Sequence, residues 1–162
     1  MGEIISAEKL TELRAEWRSV GKRVVVVRGA FDLLHPGHIR LLEQARALGD
    51  ILVVAVENDD AVRATSEPDT RALRPATPCA ERAEILAALA AVDFVIELGS
   101  GSPDGWLERF SPDVIVHGGR GDVPGSAKSD GRSRSGAKTV AIPLEPGYST
   151  TLLIDRIRQL RR

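Results

Sequence analysis

The sequence predicts an α/β protein: a doubly wound parallel sheet of five strands with helices on both faces. Three observations carry this. Residues 24–27 and 51–56 are apolar at every position and rich in β-branched side chains, as strands buried on both faces are. Between such runs lie amphipathic stretches with helix start and stop signals. The two kinds of segment alternate along the chain, and right-handed crossovers turn that alternation into a parallel sheet.

Taken in order, Ser6 with Glu8 reads as a helix N-cap, followed by Leu10, Leu13 and Trp17 at helical spacing. Residues 24–27 form the first strand. Residues 37–48 form a helix, with Ile39, Leu41, Leu42, Ala45 and Leu48 on its apolar side and Gly49 as its stop. Residues 51–56 are the second strand, and 59–63 a short helix. Residues 66–75 are polar and contain proline, which predicts a loop. Thr77 with Pro78 opens a helix that buries Ile85, Leu86 and Leu89. Strands are expected at 93–98, 113–117 and 139–142, with a helix at 104–110. Ser149 or Thr150 caps a last helix reaching about Leu160. The architecture is Rossmann-like, a single domain over residues 1–162 without internal repeats. Residues 118–136 hold six Gly and four Ser, a composition that suits a mobile loop or lid better than a packed core.

Composition narrows the function. With 162 residues and 43% hydrophobic content the chain suffices for one full core. A net charge of −1 supplies no global attraction to nucleic acid or to an acidic membrane. No apolar stretch has the length of a membrane span, and residues 1–16 lack the apolar segment of a signal peptide. A lone Cys79 excludes an intramolecular disulfide and a cysteine-based zinc site, and suits the cytoplasm. Its place near a helix start favours a lowered pKa, while its size favours simple burial.

Chemistry concentrates at Arg28-Gly29-Ala30-Phe31-Asp32-Leu33-Leu34-His35-Pro36-Gly37-His38, where a strand hands over to a helix. Backbone amides and the positive end of a helix dipole converge at such a junction, and its natural occupant is a phosphate. His35 and His38 add imidazole donors, and Gly37 lacks a Cβ that would keep a phosphate from the backbone. The residues after the predicted strands, among them Asp59, Gly118 and Ser149, belong on the same rim of the sheet.

The segment resembles the Gly-x-Phe-Asp-x-x-His-x-Gly-His motif of the cytidylyltransferase-like nucleotidyltransferases. Three further segments fit that family in the same order: Arg74-Pro75 through Arg82, Val92-Asp93, and Gly147-Tyr148-Ser149-Thr150-Thr151. Within the family the resemblance is strongest to the domains that adenylylate a heptose 1-phosphate, with glycerol-3-phosphate cytidylyltransferases next. It implies attack of a substrate phosphate oxygen on the α-phosphorus of ATP or CTP, with Mg²⁺ arriving on the triphosphate. His35, His38, Arg74 and Arg82 are the implied catalytic residues. Gly29, Ala30, Phe31, Gly37, His38, Gly118, Ser149 and Thr150 would bind nucleotide. For Arg82 the competing reading is a solvent-facing charge, and for Ser149 and Thr150 an ordinary helix cap.

Departures from the family pattern fall where the acceptor and the base belong. Heptose-type relatives carry a lysine before the Arg-Pro segment; this chain has none between Lys22 and Lys128, leaving Arg63 or Arg71 to substitute. Their Lys-Gly-Gly-Asp reads His117-Gly118-Gly119-Arg120, and Arg28 stands where asparagine is common. Arg28, Arg63, Arg71, His117 and Arg120 are therefore candidate acceptor-binding residues; Asp32, within the motif, is a further candidate that could bind the acceptor, orient a donor or simply hold the turn. The resemblance also implies a homodimer, and the departures leave room for a domain that binds nucleotide without turning over.

Overall fold

The computed structural model of the chain describes residues 1–99, 103–118, 133, 136–143 and 145–160. Its strands are β1 (Glu3–Ile4), β2 (Val24–Gly29), β3 (Ile51–Glu57), β4 (Phe94–Leu98), β5 (Val114–Gly118) and β6 (Lys138–Ile142). The helices are α1 (Ala7–Ser19), α2 (Pro36–Arg46), α3 (Asp59–Thr65), α4 (Pro68–Arg71), α5 (Cys79–Ala87), α6 (Pro103–Phe110) and α7 (Thr150–Gln159). All strand pairs are parallel, in the order β1-β4-β3-β2-β5-β6.

The central strands show why an unbroken apolar run was needed. In β2, Val25 and Val27 enter one core cluster with Leu41, Leu42 and Ala45 of α2 and Ala83 and Leu86 of α5. Val24 and Val26 point the other way, into a cluster with Leu10 of α1 and Trp106, Leu107 and Phe110 of α6. Successive side chains face opposite layers, so neither face tolerates a polar residue.

Four details of the sequence reading change. The sheet has six strands, because the two residues of β1 pair with Phe94 and Val95 at its edge. The expected loop at 66–75 contains the short helix α4, started by Pro68 at its first position. Ile39 is 40% exposed and Ile85 47% exposed. In α2 the buried positions are Gly37, Leu41, Leu42 and Ala45, a face that Ile39 misses. In α5 they are Cys79, Arg82, Ala83, Leu86 and Ala87, spaced as one helical stripe that includes an arginine. Ile85 lies off that stripe.

At the amino edge of the sheet, aspartates receive strand amides. Asp50 Oδ2 accepts from Arg23 N at 2.7 Å, Asp93 Oδ2 from Leu52 N at 2.8 Å, and Asp113 Oδ2 from Val24 N at 2.7 Å. Asp93, part of the Val-Asp motif, is therefore structural and lies at the edge opposite the strand ends that carry the motif histidines. Asp113 also accepts from Arg14 Nη2 at 3.0 Å; the arginine side chain is 6% exposed and the aspartate 40%. Asp113→Ala is expected to lower stability by about 1–3 kcal/mol, less than a fully buried pair because water already reaches the carboxylate. Urea unfolding of the variant measures it.

Candidate active site

Strand β2 has β3 on one side and β5 on the other, so the order of the sheet reverses there. Ligands of such sheets bind at the carboxyl ends of the strands beside that reversal. A cleft of about 170 Å³ opens at this point, walled by Arg28, Gly29, Ala30, Phe31, Asp32, His38, Leu41, Arg74, Gly118 and Thr150.

After β2 the chain turns sharply: Phe31 and Leu33 take φ values of +50° and +48°, the left-handed region that side chains disfavour. Burial of Phe31, at 4% exposure, helps hold the turn. His35 then caps α2, its Nδ1 accepting from the His38 amide at 3.3 Å. An accepting Nδ1 places the His35 proton on Nε2. The His38 ring stacks on His35, centroids 3.8 Å apart and planes 15° apart. Its Nδ1 is buried and has no hydrogen-bond partner among the described residues. Burial, the neighbouring His35 and the Arg74 guanidinium push His38 down to about 4, and burial lowers His35 as well. Both imidazoles are therefore neutral donors and acceptors at neutral pH.

Asp32 organises the opposite wall. Its side chain is fully buried; Oδ2 accepts from Arg74 Nε at 3.1 Å, and Oδ1 from the amides of Ala76 at 2.9 Å and Thr77 at 3.2 Å. Its carbonyl accepts from Thr150 Oγ1 at 2.7 Å, tying down the start of α7. One residue thus links the histidine turn, the Arg74 loop and α7. Of the roles open to Asp32, orientation of a donor and support of the turn fit its surroundings, because its carboxylate is buried on Arg74 and two amides.

Arg82 is also redirected. Its side chain is 1% exposed, with Nη2 on Asp59 Oδ1 at 2.6 Å, Nε on Thr77 O at 2.9 Å, and Nη1 on Ala30 O. The fork that was expected to meet leaving phosphates braces the two loops flanking the cleft, and it is no solvent-facing charge. Gly37 too has a different reason: an added Cβ would lie 3.0 Å from both His35 Nδ1 and Tyr148 Cβ. Here the missing Cβ admits these two side chains. Ser149 Oγ caps α7 by accepting from Leu152 N at 3.1 Å, and Thr150 is committed to Asp32. What α7 offers a ligand is its amide end.

The candidate acceptor residues scatter. Arg28 is in the cleft wall and pairs with Glu57 at 3.2 Å. Arg63 pairs with Asp60 at 2.7 Å and lines a different depression with Asn58, Asp59 and Glu97. Arg71 donates to Ser66 O at 3.2 Å. His117 is half-buried in β5, one residue before Gly118. Arg120 and most of the expected lid fall outside the described residues. Cys79, at the start of α5, is pushed up to about 11, chiefly by burial, against the lowered value its helix position suggested. At pH 7.5 iodoacetamide is expected to label it at least tenfold more slowly than a free cysteine, since the thiolate is the reactive form; mass spectrometry follows the time course.

Sequence reasoning missed Tyr148, whose ring lies 6.2 Å from that of His35. It also missed Arg40, with its guanidinium carbon 5.5 Å from the Tyr148 centroid, and the ion pair of Arg40 with Glu145. The sole tyrosine of the chain, next to a helix cap in a motif, was the available signal.

A switch-point cleft with stacked imidazoles at one helix start and an oriented arginine opposite defines a nucleotidyltransferase type of α/β domain. The chain matches the cytidylyltransferase-like family over residues 26–156 and belongs to it. It is 42% identical over 154 residues to the bifunctional protein HldE of Koribacter versatilis, covering 95% of this chain and 31% of that protein. With HldE of Methylococcus capsulatus it shares 39% over 155 residues, covering 95% and 32%. The chain thus spans about a third of the length of these curated relatives. A crystal structure of a lipopolysaccharide core biosynthesis protein from Thermoplasma volcanium superposes with a TM-score of 0.62 at 26% identity, covering 77% of this chain and 98% of that one. Pantoate-beta-alanine ligase from Francisella tularensis gives a TM-score of 0.57 at 14% identity, covering 100% and 80%, a likeness of fold alone.

Proposed function

We propose that the protein transfers a nucleoside monophosphate from ATP to a sugar 1-phosphate of the heptose type, releasing pyrophosphate. The observation that carries this reading is the placing of His38 and the Asp32-held Arg74 in the walls of one small cleft at the sheet reversal. In the reaction an acceptor phosphate oxygen attacks the α-phosphorus while its bond to the bridging oxygen breaks, and the electron pair leaves with pyrophosphate. The attacking oxygen carries no proton, so the site needs donors and positive charge rather than a base. Neutral imidazole N–H groups, the Arg74 fork and the amides opening α2 and α7 supply those.

Mg²⁺ enters as part of the substrate, bound to the triphosphate. Among the described residues no group of three or more His, Cys, Asp or Glu side chains is arranged to hold a metal. We further propose a cytoplasmic homodimer; light scattering of the purified protein tests the second half. Among the described residues, no helix is long and apolar enough to cross a membrane.

Calorimetry with ATP and CTP, followed by pyrophosphate release with heptose 1-phosphate and glycerol 3-phosphate, tests the reading. Turnover with ATP and the heptose is the expected result. Turnover with CTP alone would replace it by a cytidylyltransferase of the glycerol-phosphate type. Binding without turnover would favour a silent nucleotide-binding module. One observation favours that last alternative: Arg63 and Arg71, the stand-ins for the family lysine, are engaged elsewhere.

A further inference from the structure

We infer that Tyr148 is a positioning residue for His35, and that Arg40 and Glu145 hold Tyr148 in that role. The inference rests on the nucleotidyl-transfer reading above and assigns a task to three side chains that reading does not use.

Four rings follow one another in three pairwise contacts. Phe31 meets His38 with centroids 5.4 Å apart at 56°, His38 meets His35 at 3.8 Å and 15°, and His35 meets Tyr148 at 6.2 Å and 26°. His35 thus has the His38 ring stacked on it and the Tyr148 ring near-parallel to it at longer range. Near-parallel neighbouring rings restrict rotation about the His35 Cβ–Cγ bond, the torsion that sets where its two nitrogens point. The bond from the His38 amide to Nδ1 fixes that rotation, but at 3.3 Å it is a long one. Without Tyr148, only this bond and the His38 stack would orient the Nε2 donor.

The outer face of Tyr148 is held in turn. The Arg40 guanidinium lies over the ring, 5.5 Å from its centroid, within cation–π reach. Glu145 ion-pairs with Arg40, and its carbonyl accepts from the Tyr148 amide at 3.3 Å. Gly147, at φ +87°, makes the turn between them, a conformation that glycine takes without strain. The closeness of Gly37 to both residues fits the same arrangement: a Cβ at position 37 would crowd the His35 ring and the Tyr148 Cβ at about 3.0 Å. Arg40 lies on the α2 surface with its side chain 47% exposed, so it is poorly placed to serve the core.

The test combines kinetics with ¹⁵N NMR of the imidazoles, of which the chain has only three. Tyr148→Ala is expected to lower kcat about tenfold, with KM for the nucleotide moving by no more than about threefold, since a misoriented donor costs rate. The His35 nitrogens are expected to pass from a fixed Nε2–H pattern to tautomer-averaged shifts. Tyr148→Phe keeps the ring and is expected to restore both kcat, to within about twofold, and the fixed pattern. Arg40→Gln, a surface change, is expected to lower kcat about threefold and to average the tautomer partially. That variant decides the matter should Tyr148→Ala not fold.

An unchanged kcat and an unchanged His35 pattern in Tyr148→Ala and Arg40→Gln would overturn the inference. So would a Tyr148→Phe variant as impaired as Tyr148→Ala, or a loss confined to KM, which would make Tyr148 a nucleotide contact. If the unmodified protein releases no pyrophosphate with any acceptor, the transfer reading fails, while the tautomer measurements still decide whether Tyr148 orients His35.

Discussion

Asp32→Ala is expected to lower stability by about 3–5 kcal/mol, the largest loss foreseen for any single side chain here. The carboxylate is fully buried and accepts three hydrogen bonds from within the protein. Removing it leaves the Ala76 and Thr77 amides without an acceptor and the Arg74 guanidinium, 16% exposed, without a counter-charge. Each such loss costs the desolvation of a polar group that water cannot easily reach. Asp32→Asn separates the two jobs. Its amide oxygen can still serve the Ala76 and Thr77 amides, but its NH₂ faces Arg74 Nε, donor against donor. This variant should fold with a smaller deficit, about 1–2 kcal/mol, yet lose rate about 10–100-fold as Arg74 swings away. Urea unfolding and pyrophosphate release measure the two quantities. A loss under about 1 kcal/mol in Asp32→Ala would show that the turn holds without its carboxylate.

The pairing of Asp32 with Arg74 also shows where sequence reading stops. Parallel strands, their opposed apolar faces and the helix caps at Ser6 and Ser149 are local, and periodicity or side-chain chemistry exposes them directly. The His-x-Gly-His turn was legible because a strand run ends just before it and an amphipathic helix begins within it. Arg82 was not. Its partners Ala30 and Asp59 lie 52 and 23 residues away, and nothing nearby signals that a guanidinium will fill a core position of α5. A buried charge is legible only through its partners, and those come together after folding. Strand β1 was missed for a related reason: two residues carry no period, and the free edge of β4 creates the strand. Gly37 and Thr150 were singled out as site residues without their intramolecular contacts, which come from Tyr148 and Asp32.

His38→Ala is expected to reduce kcat by about 10²–10³ while changing nucleotide affinity only a few-fold, the signature of a donor used chiefly in the transition state. With His38 pushed down to about 4, the ring is neutral at pH 7 and brings no ground-state attraction of charge for charge. What it offers is a neutral N–H donor in the wall of the cleft, where charge on the α-phosphate oxygens would grow during attack. A loss of affinity as large as the loss of rate would instead assign His38 to ground-state binding. The same depressed pKa has a consequence for folding. Between about pH 6.5 and 4 the unfolded chain binds a proton at this position that the folded chain refuses. The stability this contributes is fully present above pH 6.5 and is lost as pH falls through 4. His38→Ala removes the group, so its stability should vary less with pH across that window than that of the unmodified protein, as urea midpoints at pH 7 and pH 4.5 will register. An equal slope in both proteins would mean that His38 takes up its proton in the folded state at the same pH as in the unfolded chain, and that the cleft does not disfavour the charged ring.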